Sequence, residues 1–189
     1  MIVEFQNIEH EKIRKSFLRV LNQYKTLHDF EILLNQRPIK SSTMQAQPVL
    51  NWRGLFFGIR QYRVKLAIHV RDSQHIKVSE LPGDVLTGWF AHELGHVVDY
   101  GSYNSLGMIG YGLRYLLSSS FKKKVEHKAD EIAISHGFKS EILETKRFIL
   151  DHDLLDEGYK NKIRKYYMPI EAVEAWRHDI PPGIPHSDL

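Results

Sequence analysis

The sequence predicts an α+β fold, a small twisted sheet packed on long helices, with a mainly helical C-terminal part. Three patterns carry that expectation. Residues 62–70 alternate apolar and polar side chains, as a half-buried strand does. Residues 8–28, and several stretches after Pro82, repeat apolar residues at steps of three and four, as helices with one buried side do. At 189 residues, with 42% apolar and 26% charged side chains, the chain can bury one real core, which excludes disordered and multidomain classes. Residues 1–179 read as a single domain and 180–189 as a proline-rich tail.

Taken in order, the first helix spans 8–28, with Ile13, Phe17, Leu21 and Tyr24 on one side, Lys12, Arg14, Lys15 and Arg19 mostly on the other, and Asn7 as its cap. Phe30 to Leu34 reads as a short strand ended by Pro38, and the polar stretch Lys40 to Pro48 as a loop. Leu55 to Ile59 reads as a strand with Gly54 and Gly58 at turns or bulges. The alternating strand 62–70 follows, then a short strand at Ile76 to Val78. Pro82-Gly83-Asp84 opens a helix to about Tyr100, since proline suits a first turn and an acid its positive end.

Residues 101–120, rich in Gly and Tyr, read as a mobile loop and short helix over the core; a flap beside a cleft and in-plane membrane contact are the other readings. Helices are expected over Phe121 to Gly137, with Gly137 as the stop, and over Ser140 to His152, Glu157 to Tyr167 and Pro169 to Arg177. The tail from Ile180 to Pro185 holds too much proline for a helix.

The chain contains no cysteine, which removes disulfides, thiolate metal sites and thiol nucleophiles, and suits a reducing compartment. With no leader pattern at Met1 to Phe5 and no long apolar run, a soluble cytoplasmic protein without transmembrane segments is expected. Net charge is +3, but unevenly distributed: residues 1–80 hold 13 Lys/Arg against 7 Asp/Glu, residues 81–189 hold 13 against 16. A basic half can mark nucleic-acid binding, but here the charges are scattered among apolar residues, as on an ordinary solvated surface. Eleven histidines point toward metal chemistry.

The segment His92-Glu93-Leu94-Gly95-His96 gives that pointer a location. Residues four apart on a helix differ by about 40° around its axis, so the two imidazoles stack on one face and can grip one ion. Glu93 projects beside the ion, where it can hold a water as general base. Zinc, one per chain, is the default for such a set, and a catalytic site needs a third protein ligand. Six residues past His96 stands Ser102, which cannot serve. Glu126 is the preferred candidate, followed by Asp130. The two lie four apart on one helix, so one carboxylate can ligate while the other orients a ligand imidazole.

These residues, with Glu126-His127-Lys128-Ala129-Asp130-Glu131 after them, resemble the gluzincin metallopeptidases. Within these, the chain looks closest to the minigluzincins and the CAAX-prenyl-protease and HtpX-type catalytic domains. The resemblance covers about residues 62–150, and the Glu-x-x-Ala-Asp run adds most of its specificity. It implies a zincin-like fold with an active-site helix and a glutamate helix. It also implies His92, His96 and Glu126 as zinc ligands, Glu93 as general base and acid, and Asp130 as the orienting carboxylate. The expected activity is that of a zinc-dependent endopeptidase acting on peptide or protein substrates. The membrane relatives' spanning helices are missing here.

Such a reaction needs a further donor for the developing oxyanion, and Tyr166, Tyr167, Arg164, His136 and His152 are the candidates. An extended peptide would add to a sheet edge, at strand 62–70 or at 76–78, unless those strands only complete the core. Two other functions are weighed against the peptidase. In one, a latent or regulatory zinc protein has its cleft capped by the tail, through His178, Asp179, His186 and Asp188. The other is a basic nucleic-acid-binding module in which the motif is incidental.

Overall fold

The strands Ile2–Gln6 (β1), Glu31–Gln36 (β2), Met44–Pro48 (β3) and Gln61–Leu66 (β4) form one mixed sheet in the order β1-β2-β4-β3. These details come from a computed structural model that describes residues 2–39, 42–50, 59–73 and 75–177. Strands β1, β2 and β4 run parallel, and β3 pairs antiparallel with β4 at the sheet's edge, Met44 opposite Leu66 and Pro48 opposite Tyr62. Ile32, Leu34, Tyr62, Val64, Leu66, Met44 and Ala46 point to the buried face, while Glu31, Gln61 and Arg63 are exposed on the other. Period-two patterning therefore matches a sheet covered on one side.

Helix α1 (Glu11–Gln23) makes the crossover from β1 to β2 and buries Ile13, Phe17, Val20 and Leu21. Phe17 meets Phe5 and Phe90 edge-on, at centroid distances of 6.0 and 5.2 Å. After a single 3₁₀ turn at Val78–Glu80 comes α2 (Gly83–Tyr100), the central helix, buried along most of its length. It packs on α1, β3, α4 (Ser119–Ser135) and α5 (Lys139–Asp151). Such burial requires an apolar surface nearly all round, which Val85, Leu86, Phe90, Ala91, Leu94 and Val97 supply. Between α2 and α4 lies α3 (Ser105–Leu117), and α6 (Glu157–Tyr166) and α7 (Ile170–Ala175) close the helical layer. The architecture is α+β, as expected.

Several local expectations are corrected. Met44–Pro48, read as loop, is the edge strand; its alternation of Met44 and Ala46 with Gln45 and Gln47 is too short and too polar to stand out in the sequence. The strand expected over 62–70 loses both partners after Leu66, the last residue matched by β2 and β3, and so ends there. Ile76 to Val78 is not a strand; one isolated bridge joins His69 to Lys77 before the 3₁₀ turn. Asn7 does not cap α1, because its backbone is left-handed (φ 56) and His10 occupies the cap position. Gly137, at φ 89, does stop α4. Residues 101–120 are mostly a regular 13-residue helix. The strand expected at Leu55 to Ile59, all but its last residue, the glycines at 54 and 58, and the tail from 178 onward lie outside the described residues.

Candidate metal centre

Two helices build the site, and two small residues set how closely they approach. A Cβ on Gly95 would lie 2.7 Å from the Ala129 carbonyl oxygen and 3.2 Å from the Ala129 Cα, so α2 and α4 touch backbone to backbone. Gly95 stands between the two histidines and Ala129 between Glu126 and Asp130. The close approach is therefore what carries the α4 carboxylates to the imidazoles on α2.

Both imidazole Nε2 atoms face one oxygen, Glu126 Oε2, at 3.1 Å from His92 and 3.5 Å from His96. One donor atom from each of the three residues lies within 4.8 Å of the others, and all three side chains are buried. A tetrahedral ion with bonds of about 2.0–2.1 Å has edges of roughly 3.3 Å, between the two observed separations. Two nitrogens and a carboxylate oxygen also match the donor set of a divalent metal. The residues present fit a metal ion.

The surroundings hold these ligands in orientation. His92 Nδ1 lies 2.9 Å from Asp130 Oδ1, and Asp130 Oδ2 accepts from Lys146 Nζ at 2.7 Å and from the Met168 backbone N–H at 3.1 Å. The carboxylate thus selects the His92 tautomer while a buried ammonium and a backbone donor hold it in place. The Tyr115 hydroxyl donates to Glu126 Oε1, leaving Oε2 to the histidines. Tyr167 stacks on His92 at 5.1 Å and Tyr100 on His96 at 5.9 Å. His96 Nδ1 is buried without a hydrogen-bond partner among the described residues, so stacking rather than a carboxylate positions that ring.

Charge at the centre follows from the same contacts. Burial works to lower the His92 imidazole, but hydrogen bonds from Asp130 and Glu126, with their charges, outweigh it and raise it to about 10. For Glu126 burial works upward, yet the hydrogen bonds of His92 and His96 hold it well below the ordinary carboxylate range. Asp130 is lowered against its burial by the Lys146 charge and the His92 hydrogen bond. A pocket with two ionised carboxylates around two imidazoles favours positive charge at its middle. Burial, and secondarily the Glu126 charge, pushes the phenols of Tyr115 and Tyr167 up, so both remain neutral donors.

Glu93 is half-buried and does not join the cluster. Its Oε2 accepts the backbone N–H of Ala46 at 2.7 Å. On either flank of β3, the Thr43 carbonyl accepts from Ala67 N–H and the Val49 N–H donates to the Gln61 carbonyl, so by alternation Met44 and Ala46 turn their backbone groups outward, toward the site. The edge strand beside the site is therefore β3; β4, expected in that place, is interior to the sheet.

Of the candidate oxyanion donors, the structure brings Tyr167 to the cluster. Tyr166 is exposed at its phenol, which lies 3.4 Å from Ser119 Oγ. Arg164 is taken by Glu157 Oε2 and Asn161 Oδ1, at 3.1 and 2.8 Å. His136 stacks on Tyr24 at the far end of α4, and His152 lies against Phe148 at the end of α5. Sequence reading missed Tyr115, Lys146 and Ala46. Ala46 lies in an alternation too short and polar to stand out, and the other two reach the site through helix packing that no spacing records. A small cavity of about 50 Å³ opens beside His92 and Glu93, walled by Met44, Trp89, Ile142, Ile149, Tyr159 and Lys162 among others. Compared with protein-family models, curated proteins and solved structures, the chain has no match.

Proposed function

We propose that this chain is a zinc-dependent endopeptidase that hydrolyses peptide bonds. The observation that carries the reading is the convergence of His92, His96 and Glu126 on one point, with Glu93 beside it and an outward-facing edge strand alongside. Zinc held there supplies a Lewis acid and brings the pKa of a water toward neutrality.

The chain's residues do the rest. Ala46 N–H fixes one oxygen of Glu93, so the carboxylate stands between strand and cluster instead of swinging to solvent. Its other oxygen takes a proton from water and returns it to the departing amine, a transfer that requires Glu93 ionised at the start. The Met44 amide and carbonyl and the Ala46 carbonyl are the outward groups to which an extended peptide pairs, with backbone bonds that read little side-chain identity. The mixed polar and apolar cavity beside His92 and Glu93 receives one small substrate side chain. Tyr167, a neutral phenol at the cluster, is the donor that meets developing negative charge on the carbonyl oxygen.

The test pairs metal analysis with cleavage of a denatured protein or a peptide library. Expected are one zinc per chain, activity lost on chelation and restored by zinc, and a Glu93→Gln variant that keeps the metal but cuts nothing. Stoichiometric zinc in a folded protein that cleaves no peptide, or a Glu93→Gln variant as active as the parent, overturns the proposal.

A further inference from the structure

The helix Ser105–Leu117 has one side that the fold uses and one that it does not. Inward, the Tyr111 hydroxyl donates to Asp99 Oδ2 at 2.9 Å, its ring meets Tyr100 and Phe121 edge-on, and Tyr115 reaches Glu126. Outward, Leu106, Ile109, Leu113, Leu116 and Leu117 fall within an arc of about 100°. They are 67%, 51%, 55%, 79% and 84% exposed, a continuous aliphatic ridge rather than scattered single residues.

The stretch of chain that carries this ridge has charge of one sign. Between Asp99 and Glu126 there is no Asp or Glu, while Arg114, Lys122, Lys123 and Lys124 all fall there. The fold brings two of them, Arg114 and Lys122, to one end of the ridge. Arg114 lies over Phe121 at 4.3 Å, and Lys122 lies between Tyr115 and Tyr166 at 5.1 and 4.6 Å. Lys165 joins from α6 over the same Tyr166 ring at 5.1 Å.

We propose that this face docks on an anionic lipid bilayer, α3 lying in the interface with its aliphatic ridge at the acyl boundary and the basic cluster among the headgroups. An apolar ridge edged by cations is complementary to a surface that presents acyl chains beneath anionic headgroups. A second copy of the chain fits less well, because two such faces meeting find no acid anywhere along 100–125 to pair with the bases. No helix among the described residues is long and apolar enough to cross a membrane, so the contact is one of lying on, not spanning. This inference stands apart from the peptidase reading, and its test reads binding alone.

The full chain is sedimented with vesicles of phosphatidylcholine alone and with vesicles containing about 30% phosphatidylserine, at low and high salt. Pelleting is expected with the anionic vesicles only, and weakened by salt. Lys122→Gln with Lys165→Gln, the two lysines at Tyr166, should weaken it roughly 25-fold, about fivefold per charge. Leu113→Glu with Leu116→Glu should weaken it by about tenfold or more, with unchanged circular dichroism, since both positions are exposed. Absence of pelleting, equal pelleting on both vesicle types, or full binding by the leucine variant overturns the proposal. So does a dimer, seen by light scattering, that the leucine variant splits while lipid binding is absent.

Discussion

Substituting Gly95 by Ala probes the contact on which the cluster of His92, His96 and Glu126 depends. The added Cβ would stand 2.7 Å from the Ala129 carbonyl oxygen. Carbon and oxygen need roughly 3.3 Å, so α2 and α4 must part by about 0.6 Å. Backbone meets backbone here, and no flexible side chain can yield. The gap opens at the cluster itself, because Gly95 lies between His92 and His96 while Ala129 is one turn from Glu126. The 3.1 and 3.5 Å separations to Glu126 Oε2 then stretch together, whereas metal sites tolerate only about 0.2 Å. Overpacking of this kind costs about 1–3 kcal/mol, partly offset by the better helix propensity of Ala, up to about 1 kcal/mol. The expected net loss is about 1–2 kcal/mol, with zinc affinity lowered about 10- to 100-fold. Thermal denaturation of the metal-free protein and competition with a chromophoric chelator measure the two effects. Gly110→Ala is the control: nothing lies within 4 Å of its Cβ, so affinity stays at the parent's value. A folded Gly95→Ala protein that binds zinc as tightly as the parent would refute the reasoning.

Lys146→Met leaves the buried Asp130 carboxylate without its ammonium; a loss of about 3 kcal/mol is expected. It should appear as a fall of roughly 6–12 °C in Tm, and an unchanged Tm would show the pair to be dispensable. Tyr115→Phe removes the donor to Glu126 Oε1 and should lower zinc affinity about tenfold in a competition titration while the fold persists. The pH dependence has a definite sign. His92 in the metal-free protein is raised from 6.5 to about 10, so its proton stabilises that fold fully below 6.5, and the contribution disappears as the pH climbs through about 10. An incoming ion must displace this proton, so apparent affinity should rise with pH by about tenfold per unit between about pH 7 and 9. Calorimetry in buffers of different ionisation enthalpy reads the proton released; none released would contradict the assignment.

The sequence by itself determined whatever depends on neighbours along one helix. The spacing of His92 and His96 places both rings on one face wherever the helix lies, and Glu126 and Asp130 share a face for the same reason. The same sequence offered five oxyanion donors without a means to choose, because Tyr166 and Tyr167, adjacent in the chain, leave α6 in different directions, one to solvent and one onto His92.

Only the tertiary structure decided which strand borders the site, which lysine holds Asp130 and which face of α3 is left to water. The physical reason is packing between distant segments. Strand β3 is an edge because β4 sits between it and β2, and Lys146 reaches Asp130 because α5 crosses α2 closely enough that a Cβ on Gly88 would lie 2.2 Å from the Glu141 carbonyl oxygen. Periodicity identifies the face of a helix that is apolar. It does not say whether protein covers it, and on α3 the aliphatic ridge faces outward because the tyrosines on the opposite side take the hydrogen bonds to Asp99 and Glu126.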